Sequence, residues 1–141
     1  MRSKWFDRAR LAAVAGVACM SSVPLIAASD PQAANNARLR DIFATVIGMQ
    51  TSVGLGQVPK LAEYLATQFR AAGFPESDIH ILPLGETASL VVRYRGDGSA
   101  GRPIDLMAHM DVVTAKREDW QRDPFTLVEE NGYFFGRGTI D

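Results

Sequence analysis

The stretch P-I-D-L-M-A-H-M-D-V-V-T-A-K-R-E-D-W-Q-R-D-P-F-T-L-V-E-E-N-G-Y-F-F-G-R-G-T-I-D, residues 103–141, decides the reading of this chain. It opens with a near-continuous apolar run, Ile104 to Met110, which predicts a strand buried on both faces in the centre of an α/β sheet. Strand side chains alternate, so His109 and Asp111 share a face while Met110 points away. An imidazole at a strand end is a good zinc ligand. A carboxylate beside it can hold the other ring nitrogen and fix the tautomer. Asp105, at the start of the run, is expected to cap or to face solvent.

Downstream, A-K-R-E-D-W-Q-R-D is a charged surface loop, with Trp120 and Phe125 expected to pin it to the body. T-L-V-E-E-N-G-Y-F-F predicts a hairpin whose two-residue turn is Asn131-Gly132. Glu129 and Glu130 fall before that turn, as a solvated strand end. G-R-G-T-I-D then sets two glycines before Asp141, where the backbone must turn sharply. It lacks the lysine and spacing of a phosphate-binding loop.

A lone His-x-Asp is weak evidence for any site. The order of the pieces is specific. An apolar strand, His109-Met110-Asp111-Val112-Val113, then Trp120 through Phe125, then Gly136 through Asp141 resembles the di-zinc metallopeptidases. That family includes glutamate carboxypeptidase, aminoacylase, acetylornithine deacetylase and succinyl-diaminopimelate desuccinylase. The resemblance covers roughly residues 35 to 141, with its specific part in the last third. It implies a three-layer, zinc-exopeptidase-like α/β catalytic domain, with helices around a mixed sheet and incomplete at the C-terminus.

By the same resemblance, His109 is a ligand to one zinc, Asp111 the carboxylate that supports that histidine in catalysis, and Asp141 the aspartate bridging both metals. Cobalt or manganese could replace zinc. The substrates implied are peptides or N-acyl amino acids with a free carboxylate near the cleaved amide. Thr114 stands where the family often has proline, a change in loop stiffness more than in chemistry. The family's general-base glutamate, its neighbouring ligand, a further carboxylate and a distal histidine all come later than the position matched by Asp141. The 141 residues alone are therefore expected to be inactive. The alternatives are a non-catalytic remnant and a metal-free binding module of the same fold. A metallo-β-lactamase-like site is set aside, because Met107 stands where its first histidine would be.

Working back toward the start, R-G-D-G-S-A-G-R, residues 95–102, is a glycine-rich loop in which an RGD triplet is expected by chance. Strands are predicted at Ile79–Leu82 and Ala88–Arg95, with P-L-G-E as the turn region. His80 lies between Ile79 and Ile81 and so faces solvent, outside the site. Pro59 in a first turn and Gly73 at the end bound a helix from about Val58 to Ala72, with Leu61, Leu65, Phe69 and Ala72 as its buried stripe. An earlier helix carries Leu39, Ile42, Phe43, Val46 and Ile47 at helical spacing. Residues 29–36, S-D-P-Q-A-A-N-N, are predicted to be a linker with helix-capping asparagines at its end.

Residues 1–28 predict a secretory signal peptide. Arg2, Lys4, Arg8 and Arg10 precede an apolar run, and small residues lie near Ala28. Gly16, Ser21, Ser22 and Pro24 interrupt that run, which argues against an uncleaved anchor. Gly16 fits poorly three places before Cys19, which argues against a lipoprotein signal. Residues 29–141 are then the N-terminal portion of a metallopeptidase catalytic domain, exported to the periplasm or secreted, with no stable membrane insertion after cleavage. That portion carries 11 basic and 15 acidic residues and no cysteine, so any metal is held by nitrogen and oxygen. No basic stripe suggests nucleic acid.

Overall fold

A computed structural model describes residues 30–99 and 101–140. The signal-peptide reading of residues 1–28 and the bridging role of Asp141 lie outside the described residues. The described part is a small α/β assembly of two helices and two two-stranded antiparallel sheets.

Helix α1 spans Pro31–Ile47, which corrects the linker reading of residues 29–36. Asp30 is the cap, its carboxylate accepting from the Gln32 amide at 2.9 Å, and Pro31 takes the first position, where no amide hydrogen is needed. The Asp-Pro pair is thus a start signal. Asn36 lies inside the helix and accepts from Gln32 Nε2 at 3.0 Å. Only Ile47, at the far end, is fully buried on α1, while Leu39 is more than half exposed.

Helix α2 spans Val58–Ala71, with proline in its first turn as expected. Its end is a Schellman motif. The Gly73 amide donates to the Arg70 carbonyl at 3.0 Å and the Phe74 amide to the Phe69 carbonyl at 3.1 Å, with Gly73 at φ +88°. The accompanying apolar contact is Phe69 against Phe74, edge to face at 5.2 Å. The buried face is Val58, Leu61, Ala62 and Ala66; of the predicted stripe Leu61 is buried, Leu65 and Phe69 are half-buried and Ala72 is exposed. The two alanines, with no accessible surface, let the helix sit close on the sheet beneath.

That sheet is a hairpin of β1 (Ile79–Leu84) and β2 (Thr87–Val92). Ile79 pairs with Val92, Ile81 with Leu90 and Pro83 with Ala88, which sets these six on one face, buried or half-buried toward α2 except for the exposed Pro83, and turns His80 outward. The loop is Gly85-Glu86 alone, with Gly85 at φ +59°, so Pro83 and Leu84 belong to the strand and not to the turn. β2 ends at Val92 and not at Arg95: the Arg93 amide still donates to the Asp78 carbonyl at 2.9 Å, but Asp78 belongs to the 3₁₀ turn Glu76–Asp78, where the ladder stops. Beyond it, Arg95 folds back on Asp78, which is 1% exposed, with two hydrogen bonds at 2.6 and 2.8 Å.

The second sheet joins β3 (Val128–Glu130) to β4 (Tyr133–Phe135) through Asn131 at φ +53° and Gly132 at φ +81°. Both positive angles match the twist of a two-residue hairpin. Phe134 packs edge to face on Phe43 at 5.5 Å, and Glu129 pairs with Arg40 at 2.9 Å, so this hairpin leans on α1.

The predicted central strand does not form. Residues 103–110 have no ladder partner among the described residues, and Ile104, Leu106 and Met107 are 87%, 91% and 89% exposed. Apolar composition is only one condition for a buried strand. The other is a neighbour for its backbone amides and carbonyls, and neither described sheet supplies one.

Candidate active site

At the end of the apolar run, His109 meets its near neighbour Asp111. His109 Nδ1 lies 2.8 Å from the Asp111 carbonyl oxygen and 3.4 Å from Asp111 Oδ1. A carbonyl only accepts, so Nδ1 carries the hydrogen, which in a neutral imidazole leaves the lone pair on Nε2. That is the tautomer in which a histidine ligates a metal through Nε2 while its other nitrogen is held. The short contact goes to the backbone of Asp111, and its carboxylate stands further off. Both side chains are a little more than half exposed.

His109 and Asp111 border a cleft of about 230 Å³, whose other walls include Trp120, Arg137, Gly138 and Thr139. The wall is built locally. Gly138 adopts φ +90°, and the Thr139 hydroxyl donates to the Gly136 carbonyl at 3.1 Å, closing a tight turn. Gly136 is there for space: a Cβ at this position would lie 2.8 Å from Ile47 Cγ2. The turn that follows β4 is therefore seated on the buried end of α1. Across the cleft, Trp120 is half-buried at the end of a short 3₁₀ turn, Arg117–Asp119, and its carbonyl accepts from Arg117 Nη1 at 2.6 Å.

The Arg137 guanidinium carbon lies 5.0 Å from the centre of the Trp120 ring. Sequence reasoning read the glycines of G-R-G and passed over this arginine. Its partner lies 17 positions earlier, and no short-range pattern announces such a pair. Glu129 and Glu130 stay outside the cleft: Glu129 pairs with Arg40 and Glu130 with Arg122. His80 is exposed on the other sheet.

The donor set fits one imidazole ligand with its tautomer fixed. Among the described residues no group of three or more His, Cys, Asp or Glu side chains could hold a metal ion. A second groove, of about 340 Å³, runs between α1 and β4 and is lined by Leu39, Phe43 and Phe134, with Arg40 already paired. Among the described residues no helix is long and apolar enough to cross a membrane.

Residues 106–141, the segment that builds this cleft, match the family described as Peptidase family M20/M25/M40. This is the family whose resemblance the motifs carry, and the chain is related to its hydrolases. The chain is 45% identical over 47 residues to the N-fatty-acyl-amino acid synthase/hydrolase PM20D1 of Mus musculus, covering 33% of this chain and 9% of that protein. It is 43% identical over 77 residues to the succinyl-diaminopimelate desuccinylase of Acidiphilium cryptum, covering 55% and 19%. To the acetylornithine deacetylase of Pasteurella multocida it is 36% identical over 81 residues, covering 57% and 20%. The chain thus spans a fifth or less of the length of these relatives. No solved structure matches it.

Proposed function

We propose that this chain is part of an exported, di-zinc hydrolase that cleaves an amide bond of peptides or N-acyl amino acids. The observation that carries the reading is the hydrogen bond from His109 Nδ1 to the Asp111 carbonyl, within a cleft walled by the family-matched segment. It readies Nε2 as a ligand atom. Asp141 would be the second ligand from this chain, shared between the two ions, and the Asp111 carboxylate the group that steadies the imidazole as charge changes. Zinc, or cobalt or manganese in its place, would supply Lewis-acid activation of water and of the scissile carbonyl. The names of the relatives, a desuccinylase, a deacetylase and an N-fatty-acyl-amino acid hydrolase, support an acylated amine as the substrate class. The remaining ligands and the general base would come from sequence following Asp141. There too would lie the strands that pair with residues 104–110 to complete a three-layer domain. The basic start and apolar run of residues 1–28 support export to the periplasm or beyond, with cleavage near Ala28.

The test is thermal unfolding with and without zinc, and again after EDTA. A ligand bound only by the folded state stabilises it by about 2.7 kcal/mol at a hundredfold excess over Kd. We expect a gain that saturates with zinc, is reversed by EDTA and is lost in His109→Ala and in Asp141→Ala. An unchanged midpoint at all zinc concentrations would favour the metal-free binding module. A full response in Asp141→Ala would remove that residue from the site.

A further inference from the structure

We propose that Asn131-Gly132, at the tip of the β3–β4 hairpin, is a spontaneous modification site whose isoaspartyl product unseats one wall of the cleft. The chemistry lies in two neighbouring groups. The carbon of the Asn131 carboxamide is an electrophile, and the Gly132 amide nitrogen is placed in the chain to attack it and close a ring. Both residues are exposed, and neither the carboxamide nor that amide has a hydrogen-bond partner among the described residues. Gly132 has no Cβ to hinder the approach. As the ring closes, a bond forms between the Gly132 nitrogen and Asn131 Cγ. Nδ2 leaves as ammonia, carrying the proton that the glycine nitrogen gave up. Water then opens the succinimide and returns a proton to that nitrogen. Addition at Cγ leaves aspartate; addition at the main-chain carbonyl leaves isoaspartate, whose backbone runs through Cβ and Cγ.

The fold both gates this reaction and gives it a consequence. At φ +53° Asn131 holds the left-handed turn, which directs the Gly132 nitrogen away from Cβ. The ring therefore closes only when the turn opens. A two-stranded hairpin of three-residue strands is marginal by itself, and this one is clamped on both faces. On one face Arg40 of α1 pairs with Glu129 and lies over Phe134, the cross-strand neighbour of Glu129. On the other, Arg122 pairs with Glu130 and lies 4.3 Å from the centre of the Phe135 ring. Aspartate keeps the turn, because Asp-Gly suits it as Asn-Gly does. Isoaspartate adds a methylene to the main chain between Glu130 and Tyr133, so these two no longer pair in register. Phe134 then loses its seat on Phe43, and the cleft-lining turn after β4 loses its support. The Trp120 loop, which Arg122 ties to the hairpin, is released with it. None of this rests on the hydrolase reading.

The experiment ages the full chain carrying Trp5→Phe at neutral pH without metal, so that Trp120 emission reports on the cleft. The tryptic peptide 123–137, bounded by Arg122 and Arg137, separates the asparagine, aspartate and isoaspartate forms. We expect isoaspartate to accumulate roughly ten- to a hundredfold more slowly in the folded chain than in guanidinium chloride, the ratio giving the open fraction of the hairpin. The isoaspartyl fraction is expected to show red-shifted Trp120 emission and a lower unfolding midpoint. Asn131→Asp is expected to keep the parent's values. Asn131→Gly, which allows the same turn without a carboxamide, is expected to age unchanged. Equal rates in the folded and denatured chains, or no isoaspartate in the folded chain, overturns the proposal. So does an isoaspartyl fraction with the parent's midpoint and emission, or an equal loss on ageing in Asn131→Gly. Should Asn131→Gly fail to fold, the aged parent decides alone: equal midpoints in its aspartyl and isoaspartyl fractions reject the site.

Discussion

The two parts of this molecule differ in how far they hold themselves together. Residues 57–95 form a unit in which α2 covers the β1–β2 hairpin, a glycine closes the helix, and a buried aspartate is met by an arginine. Residues 103–113, which carry His109 and Asp111, form no helix or ladder with the described residues and are mostly exposed, apolar residues included. The residues with chemistry are thus the ones their own chain supports least. A helix satisfies its backbone from within and needs cover on one face only. A central strand needs neighbours on both edges and cover on both faces, so its stability depends on segments distant in sequence.

The sharpest way to break that comparison is truncation of one leucine on each side. Leu61 is 2% exposed, and Leu61→Ala is expected to cost about 2–5 kcal/mol in urea unfolding followed by circular dichroism. Leu106 is 91% exposed, and Leu106→Ala is expected to stay within about 0.5 kcal/mol. Equal costs would mean that residues 103–110 are covered in solution. A smaller effect probes the joint between the parts. Gly136→Ala sets a methyl 2.8 Å from Ile47 Cγ2 and is expected to cost about 1–3 kcal/mol by overpacking. Combined with Ile47→Ala, which removes that methyl, the two costs are expected to add to less than their sum. Additive costs would place the turn after β4 away from α1. Smaller again is Gly73→Ala. A Cβ there meets nothing within 4 Å, so only the left-handed backbone opposes it, at about 1–2 kcal/mol in the same unfolding measurement.

What was legible in the sequence follows the same divide. Gly73 as a helix stop, Pro59 in a first turn and Asn131-Gly132 as a hairpin turn each state a local backbone requirement, and the structure uses each one so. Asp30-Pro31 was equally local, and was missed because a run of small polar residues, S-D-P-Q-A-A-N-N, has the composition of a loop. The α/β character was legible, but the strand over residues 104–110 was not decidable, because its apolar run states a need for cover without stating who provides it. The spacing of His109 and Asp111 correctly set the two side by side. That the short contact falls on the Asp111 carbonyl is a backbone detail which alternation along a strand does not contain. The stacking of Arg137 on Trp120 is a tertiary pairing, and no periodicity encodes it.

The Asp78–Arg95 pair gives the finest test of the self-sufficient part. The two hydrogen bonds from the Arg95 guanidinium hold the Asp78 carboxyl below its ordinary range, against the opposing effect of burial. A carboxyl depressed in the folded state contributes stability that is fully present above the unfolded value, about 3.9, and is lost as pH falls through the folded value. The acid limb of the stability curve is therefore expected to fall below about pH 4. Arg95→Gln removes the cation that depresses the carboxyl, and is expected to shrink this acid limb while lowering stability at neutral pH. Asp78→Asn is expected to flatten this contribution while lowering stability at neutral pH. Glu76, held by Arg70 at 2.8 Å, is depressed in the same sense but lies in solvent. Salt separates the two carboxyls. A surface pair is screened and a buried acceptor much less so, so the part of the acid limb that persists at 1 M sodium chloride is assigned to Asp78. An acid limb that vanishes in salt, or that Arg95→Gln leaves in place, would mean that the pair does not hold the hairpin to the turn before it.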